Sequence, residues 1–237
     1  GLNDSVNLAG WTASAAYDIT IRAASGNGHG GVSGDGFWMY TNDASATTFT
    51  QDVDYVNLID LEFRNNSSNS AGTGLYLKEI TTVERCIVII LHDGTGFGAI
   101  RTDNIGSSVI RNCVGENLAG SYALYFDQRS SCSVDNCTFI GPTEWITSGP
   151  STTTVFRNNV FYGAVETDIV THEASTGYNA FSSTGAFGTN QVTIDSSDFT
   201  NFSGKDYSPA SGSDLIDAGT DLSSEGFTDD IAGNTRS

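Results

Sequence analysis

Short runs of alternating apolar and polar residues recur along this chain, and six-residue blocks of one order can be laid over each other. The order is apolar, polar, turn-former, small or apolar, polar, apolar. Leu58-Ile59-Asp60-Leu61-Glu62-Phe63 aligns with Val83-Glu84-Arg85-Cys86-Ile87-Val88 and with Ile110-Arg111-Asn112-Cys113-Val114-Gly115. Val134-Asp135-Asn136-Cys137-Thr138-Phe139 and Phe156-Arg157-Asn158-Asn159-Val160-Phe161 follow, and Tyr178-Asn179-Ala180-Phe181 is a worn later copy. The fourth residue falls at 61, 86, 113, 137, 159 and 179, so the steps are 25, 27, 24, 22 and 20. Such a block predicts two half-buried strands meeting at a one-residue bend, with the first, fourth and sixth residues facing one interior. Asn112, Asn136 and Asn158 fall at the bend, where Asn tolerates a left-handed backbone better than most residues.

A further strand recurs in each copy. Gly74-Leu75-Tyr76-Leu77-Lys78 matches Ala99-Ile100-Arg101-Thr102-Asp103, then Ala123-Leu124-Tyr125-Phe126-Asp127, and more loosely Asp168-Ile169-Val170-Thr171-His172. Alternation turns Leu75, Ile100, Leu124 and Ile169 inward. Three short strands per repeat, with no helical period between them, exclude βαβ units and predict a coil that winds once per repeat and stacks parallel strands. The expected fold is all-β: a parallel β-helix of about seven turns, forming a rod on the order of 30–35 Å long. Residues 1–52 read as an N-terminal cap and first turns, 53–197 as the repeats, and 198–237, irregular and rich in Asp and Gly, as a C-terminal capping segment that covers the exposed end.

Composition narrows the function classes. The chain has 237 residues with 28 acidic and 10 basic side chains, a formal charge of −18, and only two lysines, Lys78 and Lys205. So negative a surface repels phosphate backbones and argues against nucleic acid as a partner. No run approaches 18 apolar residues, which argues against membrane insertion. Gly1 is preceded by neither Met nor a signal peptide, which suggests a mature product or a fragment. Cys86, Cys113 and Cys137 share the same inward slot, where in-register stacking holds β-carbons about 4.8 Å apart, wider than a disulfide wants. A ladder of buried free thiols is expected, with a Cys132–Cys137 bridge as the alternative. The three histidines are scattered and give no zinc spacing.

The repeated Val-x-Asn-Cys-x-Phe turn resembles the right-handed parallel β-helix superfamily that includes pectate-lyase-like proteins and phage tailspikes. The opening residues, Gly10-Trp11-Thr12, Tyr17 to Ala24 and Gly28-His29-Gly30-Gly31-Val32, look like the first turns of β-helix proteins of marine phages and environmental bacteria. The ending, with Asp214-Leu215-Ile216-Asp217-Ala218-Gly219 and Asp230-Ile231-Ala232-Gly233-Asn234-Thr235-Arg236, is similar to a closing segment found after many secreted β-helices, although its Pro209 comes early. The resemblance implies a right-handed coil, further sequence upstream of Gly1, and an extracellular or virion-surface setting. It specifies fold more than chemistry, since the same rod serves lyases, hydrolases, adhesins and virion parts.

Stacked turns place equivalent residues above one another, so a site should appear as a column. Tyr76, Arg101 and Tyr125 form one outward column, and Lys78, Asp103 and Asp127 its neighbour, with His172 further along. Aromatic, cationic and acidic groups on one face suit a saccharide, because rings stack on sugar faces while Arg and Asp bind hydroxyls. Tyr76, Lys78, Arg101, Tyr125 and Asp127 are the candidate glycan contacts. Arg101, Asp103 and Asp127 are the candidate catalytic groups if the chain is a polysaccharide lyase or hydrolase, with calcium as an optional cofactor. Asp217 and Asp230 hold either Arg236 or a calcium ion. The loop from Ser25 to Gly36, including His29, reads as structural, and His92-Asp93 and His172-Glu173 read as turns. Three functions remain: a non-catalytic structural rod such as a phage fibre or decoration protein with virion or surface-protein partners, a glycan-binding adhesin, and a polysaccharide-degrading enzyme.

Overall fold

The corner of each block decides how the chain winds. Asp60, Arg85, Asn112, Asn136, Asn158 and Tyr178, the third residue of each successive block, all hold φ between 48° and 58°. A left-handed residue costs an ordinary L-amino acid about 1–2 kcal/mol, and the short polar side chains of Asn and Asp reduce that cost. The corner amides reach across to the following coil: Arg85 N–H donates to Arg111 O (3.1 Å), Asn112 N–H to Asp135 O (3.1 Å) and Asn136 N–H to Arg157 O (3.0 Å). Each bend is thereby held by the coil stacked on it.

The computed structural model describes residues 2–42, 47–66, 72–91, 98–103, 107–117, 122–127, 132–145, 154–164, 176–183 and 188–235. Over these the chain is a parallel β-helix with three faces. The first face carries strands Val6–Ala9, Phe49–Asp52, Thr73–Leu77, Gly98–Asp103, Leu124–Asp127 and Thr143–Trp145. The second carries Ile19–Arg22, Val56–Ile59, Thr81–Glu84, Ser108–Arg111, Cys132–Asp135 and Val155–Arg157. The third begins at Leu2–Asn3, passes through Trp38–Thr41, Glu62–Asn65, Ile87–Ile90, Val114–Glu116, Thr138–Ile140 and Val160–Tyr162, and ends at Ala180–Phe181 and Val192–Thr193. A coil takes one strand from each face in that order, and coils are numbered from the one that opens at Val6.

The expected count of about seven turns is too high. Four coils, from Phe49–Asp52 through Thr138–Ile140, are flanked on both sides in all three faces, and the coils outside them are incomplete in their pairing. The blocks at 156 and 178 lie beyond these four coils, and the latter supplies a strand to the third face alone, so counting blocks overcounts full turns.

Register agrees with the block alignment. Leu58 pairs with Val83, Val83 with Ile110, Ile110 with Val134, and Val134 with Phe156. These positions are fully buried, as are Leu75, Ile100 and Leu124. In the sixth slot Phe139, Phe161 and Phe181 stack at centroid spacings of 5.5 and 5.3 Å with near-parallel rings. The fourth slot holds Cys86, Cys113 and Cys137, which are unbridged and buried, as is Cys132 at the start of its second-face strand. They also hydrogen-bond: Cys86 N–H points to Cys113 Sγ and Cys113 N–H to Cys137 Sγ, each at 3.4 Å. Asn159 and Asn179 continue the ladder, accepting from Cys137 N (2.9 Å) and Asn159 N (2.9 Å) through Oδ1. Thiol and amide occupy the same slot because each offers an acceptor to the backbone N–H of the preceding coil.

The third face is buried on both sides at its Ile87–Ile90 strand. Ile87, Val88, Ile89 and Ile90 are all buried, the uninterrupted apolar run expected of a doubly covered strand. Its outer cover is the closing segment. The antiparallel pair Phe199–Asn201 and Asp206–Pro209 packs Phe199, Phe202 and Tyr207 around Ile140, Val160 and Tyr162. The chain then returns along the bends, touching Asn158 through Thr220, Arg157 through Glu225, Arg85 through Asp229, and the Gly31 loop through Ile231. The segment expected to cover an end therefore lies as a strap along the flank, from the last coil back to the first.

Two outcomes follow from this packing. Asn136→Val should lower stability in urea unfolding by about 1–2 kcal/mol, whereas Asn136→Gly should cost less, because only the former forces a β-branched residue to positive φ. A thiol reagent should count four cysteines in denaturant and none in the folded protein.

Candidate functional site

On the first face the predicted columns form in register: Tyr76 beside Arg101, Arg101 beside Tyr125, and Asp103 beside Asp127. The side chains of Tyr76, Arg101, Tyr125 and Asp103 contact one another. The Arg101 guanidinium lies 4.5 Å from the Tyr76 ring centre and 5.7 Å from that of Tyr125, and its Nη2 is 3.3 Å from Asp103 Oδ2. Tyr76 donates its hydroxyl to the same Asp103 oxygen. Tyr125 is only 6% exposed, with Tyr122 packed 5.6 Å away. Lys78 Nζ pairs with Asp52 Oδ2 at 2.7 Å. An arginine between two rings gains about 0.5–2 kcal/mol from each cation–π contact, depending on desolvation. The strip is therefore a set of side chains held by one another.

Asp127 stands next to Asp103 in register, but its side chain lies outside the described residues. The strand that follows it on this face is Thr143–Trp145, which puts Glu144 in the Tyr125 column. The looser match at Asp168–His172 lies outside the described residues, as do His92, Asp93 and Glu173.

The acidic ending is bonded within itself. Asp230 accepts from the backbone amides of Ala232 (2.9 Å) and Asn234 (2.8 Å) and from the Asn234 side-chain amide (3.1 Å). Asp217 is exposed at φ 58°, and Arg236 lies outside the described residues. Among the described residues no group of three or more His, Cys, Asp and Glu is placed to hold a metal ion. His29 is buried, its Nδ1 accepting from Gly31 N (2.9 Å) while Nε2 meets Arg85 O at 2.6 Å. It pins the Ser25–Gly36 loop to the corner of the third coil.

Two arrangements escaped the sequence. The second slot of each block forms a column of alternating sign, Glu84, Arg111, Asp135 and Arg157, with Glu84–Arg111 at 2.6 Å and Arg157–Asp135 at 2.8 Å. Burial pushes the Asp135 carboxyl above its ordinary range, and the Arg157 bond pulls the other way. The strap meets this column and the corner beside it with every second residue: Glu225 takes Arg157 through two bonds (2.6 and 2.8 Å), Phe227 lies 5.2 Å from the Arg111 guanidinium, and Asp229 takes the corner residue Arg85 at 2.5 Å. The spacing Glu225-x-Phe227-x-Asp229 was the available signal, meaningful only beside the arginine column. The second arrangement is on the third face, where buried Glu116 accepts from Lys205 Nζ (2.5 Å) and Tyr207 OH (2.7 Å) of the strap.

The chain was compared with protein-family models, with curated proteins and with solved structures, and none of them matches.

The Arg157 bond holds the Glu225 carboxyl below its ordinary value of 4.5. A depressed carboxyl stabilises the folded state above its ordinary pKa, and that contribution fades as pH falls through the lower folded value. Protection of the amides in residues 220–230, taken relative to the intrinsic exchange rate at each pH, should accordingly fall as pH drops from about 5 to about 3, ahead of protection in the coil interior. Glu225→Ala should cost about 0.5–1 kcal/mol at neutral pH, as an exposed but two-pronged pair warrants, and should flatten the acid dependence.

Proposed function

We propose that this chain is a non-catalytic structural rod of an extracellular or virion surface, of the phage fibre or decoration kind, whose first face meets glycans. The observation that carries the reading is the mutual bonding of the candidate catalytic groups. Elimination next to a uronate needs an Arg or Lys able to take the substrate proton, and hydrolysis needs one carboxyl to give a proton while another stays ionised. Arg101 is clasped between Tyr76 and Tyr125 and paired with Asp103, Lys78 is paired with Asp52, and Asp103 already accepts from Tyr76. These contacts stiffen a surface and leave its groups little capacity to shuttle protons. The three parallel faces and the strap along the flank supply the rigidity a rod requires.

A ladder of ring, guanidinium and carboxylate also favours weak, repeated contact with an extended saccharide over enclosure of one sugar ring. Calcium has no part in this reading. Incubation with neutral and acidic polysaccharides, with and without calcium, should release neither reducing ends nor unsaturated uronate. Tyr76→Ala should weaken retention on a glycan array several-fold with an unchanged circular dichroism spectrum. Sugar release that disappears in Asp103→Asn would establish the enzyme reading in its place.

A further inference from the structure

A cavity of about 380 Å³ lies between the third face and the strap. Ile87, Ile89 and Val114 form its floor, and the strap supplies Lys205, Tyr207 and Ile231 as its wall. Its size falls in the range of small-molecule pockets, which combine apolar walls with a few converging polar groups. The converging groups here are Glu116, Lys205 and Tyr207. Glu116 is 2% exposed, and its two carboxylate oxygens are met separately, Oε1 by the Lys205 ammonium at 2.5 Å and Oε2 by the Tyr207 hydroxyl at 2.7 Å. Burial, reinforced by Glu116, holds the Tyr207 phenol well above its ordinary pKa, so it remains a hydrogen-bond donor across the working range.

The balance of charge is specific. Glu116, Asp206 and Asp230 line the cavity against the single cation Lys205, three carboxylates and one ammonium. Lys205 reaches the Glu116 carboxylate from the solvent side, its side chain 41% exposed against 3% for Glu116, and its backbone sits at φ 64°, where Lys is less at ease than Gly or Asn. The chain thus brings its own primary ammonium to a buried carboxylate beside an apolar floor, from a position that solvent can reclaim.

We propose that this cavity binds a small organic ammonium ion with an apolar body. The ligand's ammonium takes the place of Lys205 at Glu116 Oε1, its body lies on Ile87, Ile89 and Val114, and the displaced Lys205 side chain turns outward into solvent. Tyr207 keeps its bond to Oε2 and fixes the carboxylate. A carboxylate ligand would meet three negative charges, and a neutral alcohol would leave Glu116 with Lys205, so discrimination follows charge. The proposal is independent of the glycan reading of the first face, which lies on a different side of the coil.

The test is calorimetric titration of the full chain with benzylammonium, benzyl alcohol and benzoate as probes. Benzylammonium should bind in the millimolar range, as suits so few heavy atoms, and at least tenfold more tightly than benzyl alcohol, with benzoate inert. Lys205→Gly, which suits the positive φ, should bind benzylammonium more tightly than the wild type because the internal competitor is gone, and Glu116→Gln should lose the preference for charge. Equal binding of benzylammonium and benzyl alcohol to the wild type, or no binding of either, overturns the proposal without any variant. So does Lys205→Gly with unchanged affinity; if that variant fails to fold, Lys205→Asn provides the same comparison.

Discussion

In-register parallel stacking is the constraint on which the rest of this structure depends. Every side chain has a counterpart directly above and below at the strand spacing of about 4.8 Å, so a residue type must be tolerable when repeated. Phenylalanine satisfies this by stacking, as in Phe139, Phe161 and Phe181. Cys and Asn satisfy it by passing a hydrogen bond from coil to coil. Charge satisfies it best by alternating, and the Glu84, Arg111, Asp135, Arg157 column does alternate. The left-handed corners make the stacking feasible, since a turn of any other length would throw the two adjoining strands out of register.

The strap answers a second consequence of the same geometry. A three-faced coil that turns apolar residues outward on one face must cover them from outside, and the pair Phe199–Asn201 and Asp206–Pro209, with the turn between them, does so over Ile140, Val160 and Tyr162 with three aromatic rings. What remains of the segment runs along the corners and closes the charge column. The chain carries few basic groups, and four of the eight described Lys and Arg residues are used in this way: Arg85, Arg111, Arg157 and Lys205 all bond to the strap or hold the column it docks on. The strong negative charge is therefore what is left on the outside after the cations have been used to assemble the molecule.

That division shapes what each side can do. The first face presents residues bonded to one another within the sheet. The flank under the strap is where segments far apart in sequence converge, and it is there that a buried carboxylate, a phenol and an ammonium meet over an apolar floor. Cavities form more readily at such junctions than on the faces of a regular coil, because the coil repeats too closely to leave gaps.

The repeat by itself determined the parallel coil, the inward slots, the left-handed bends at Asn112, Asn136 and Asn158, and the Tyr76, Arg101, Tyr125 column, because each of these follows from local alternation copied at a near-constant step. It overcounted the turns, since a worn block such as Tyr178–Phe181 reads like a full one. It also could not say that Tyr125 is buried or that Arg101 is shared between two rings, since alternation tells inside from outside but not how outward neighbours lie on each other. The path of residues 198–235 was settled only by tertiary structure: the contacts of Glu225 with Arg157, Asp229 with Arg85 and Lys205 with Glu116 span 68, 144 and 89 residues. An irregular segment has no period to betray its partner, and its docking depends on an arginine column that exists only once the coils have stacked.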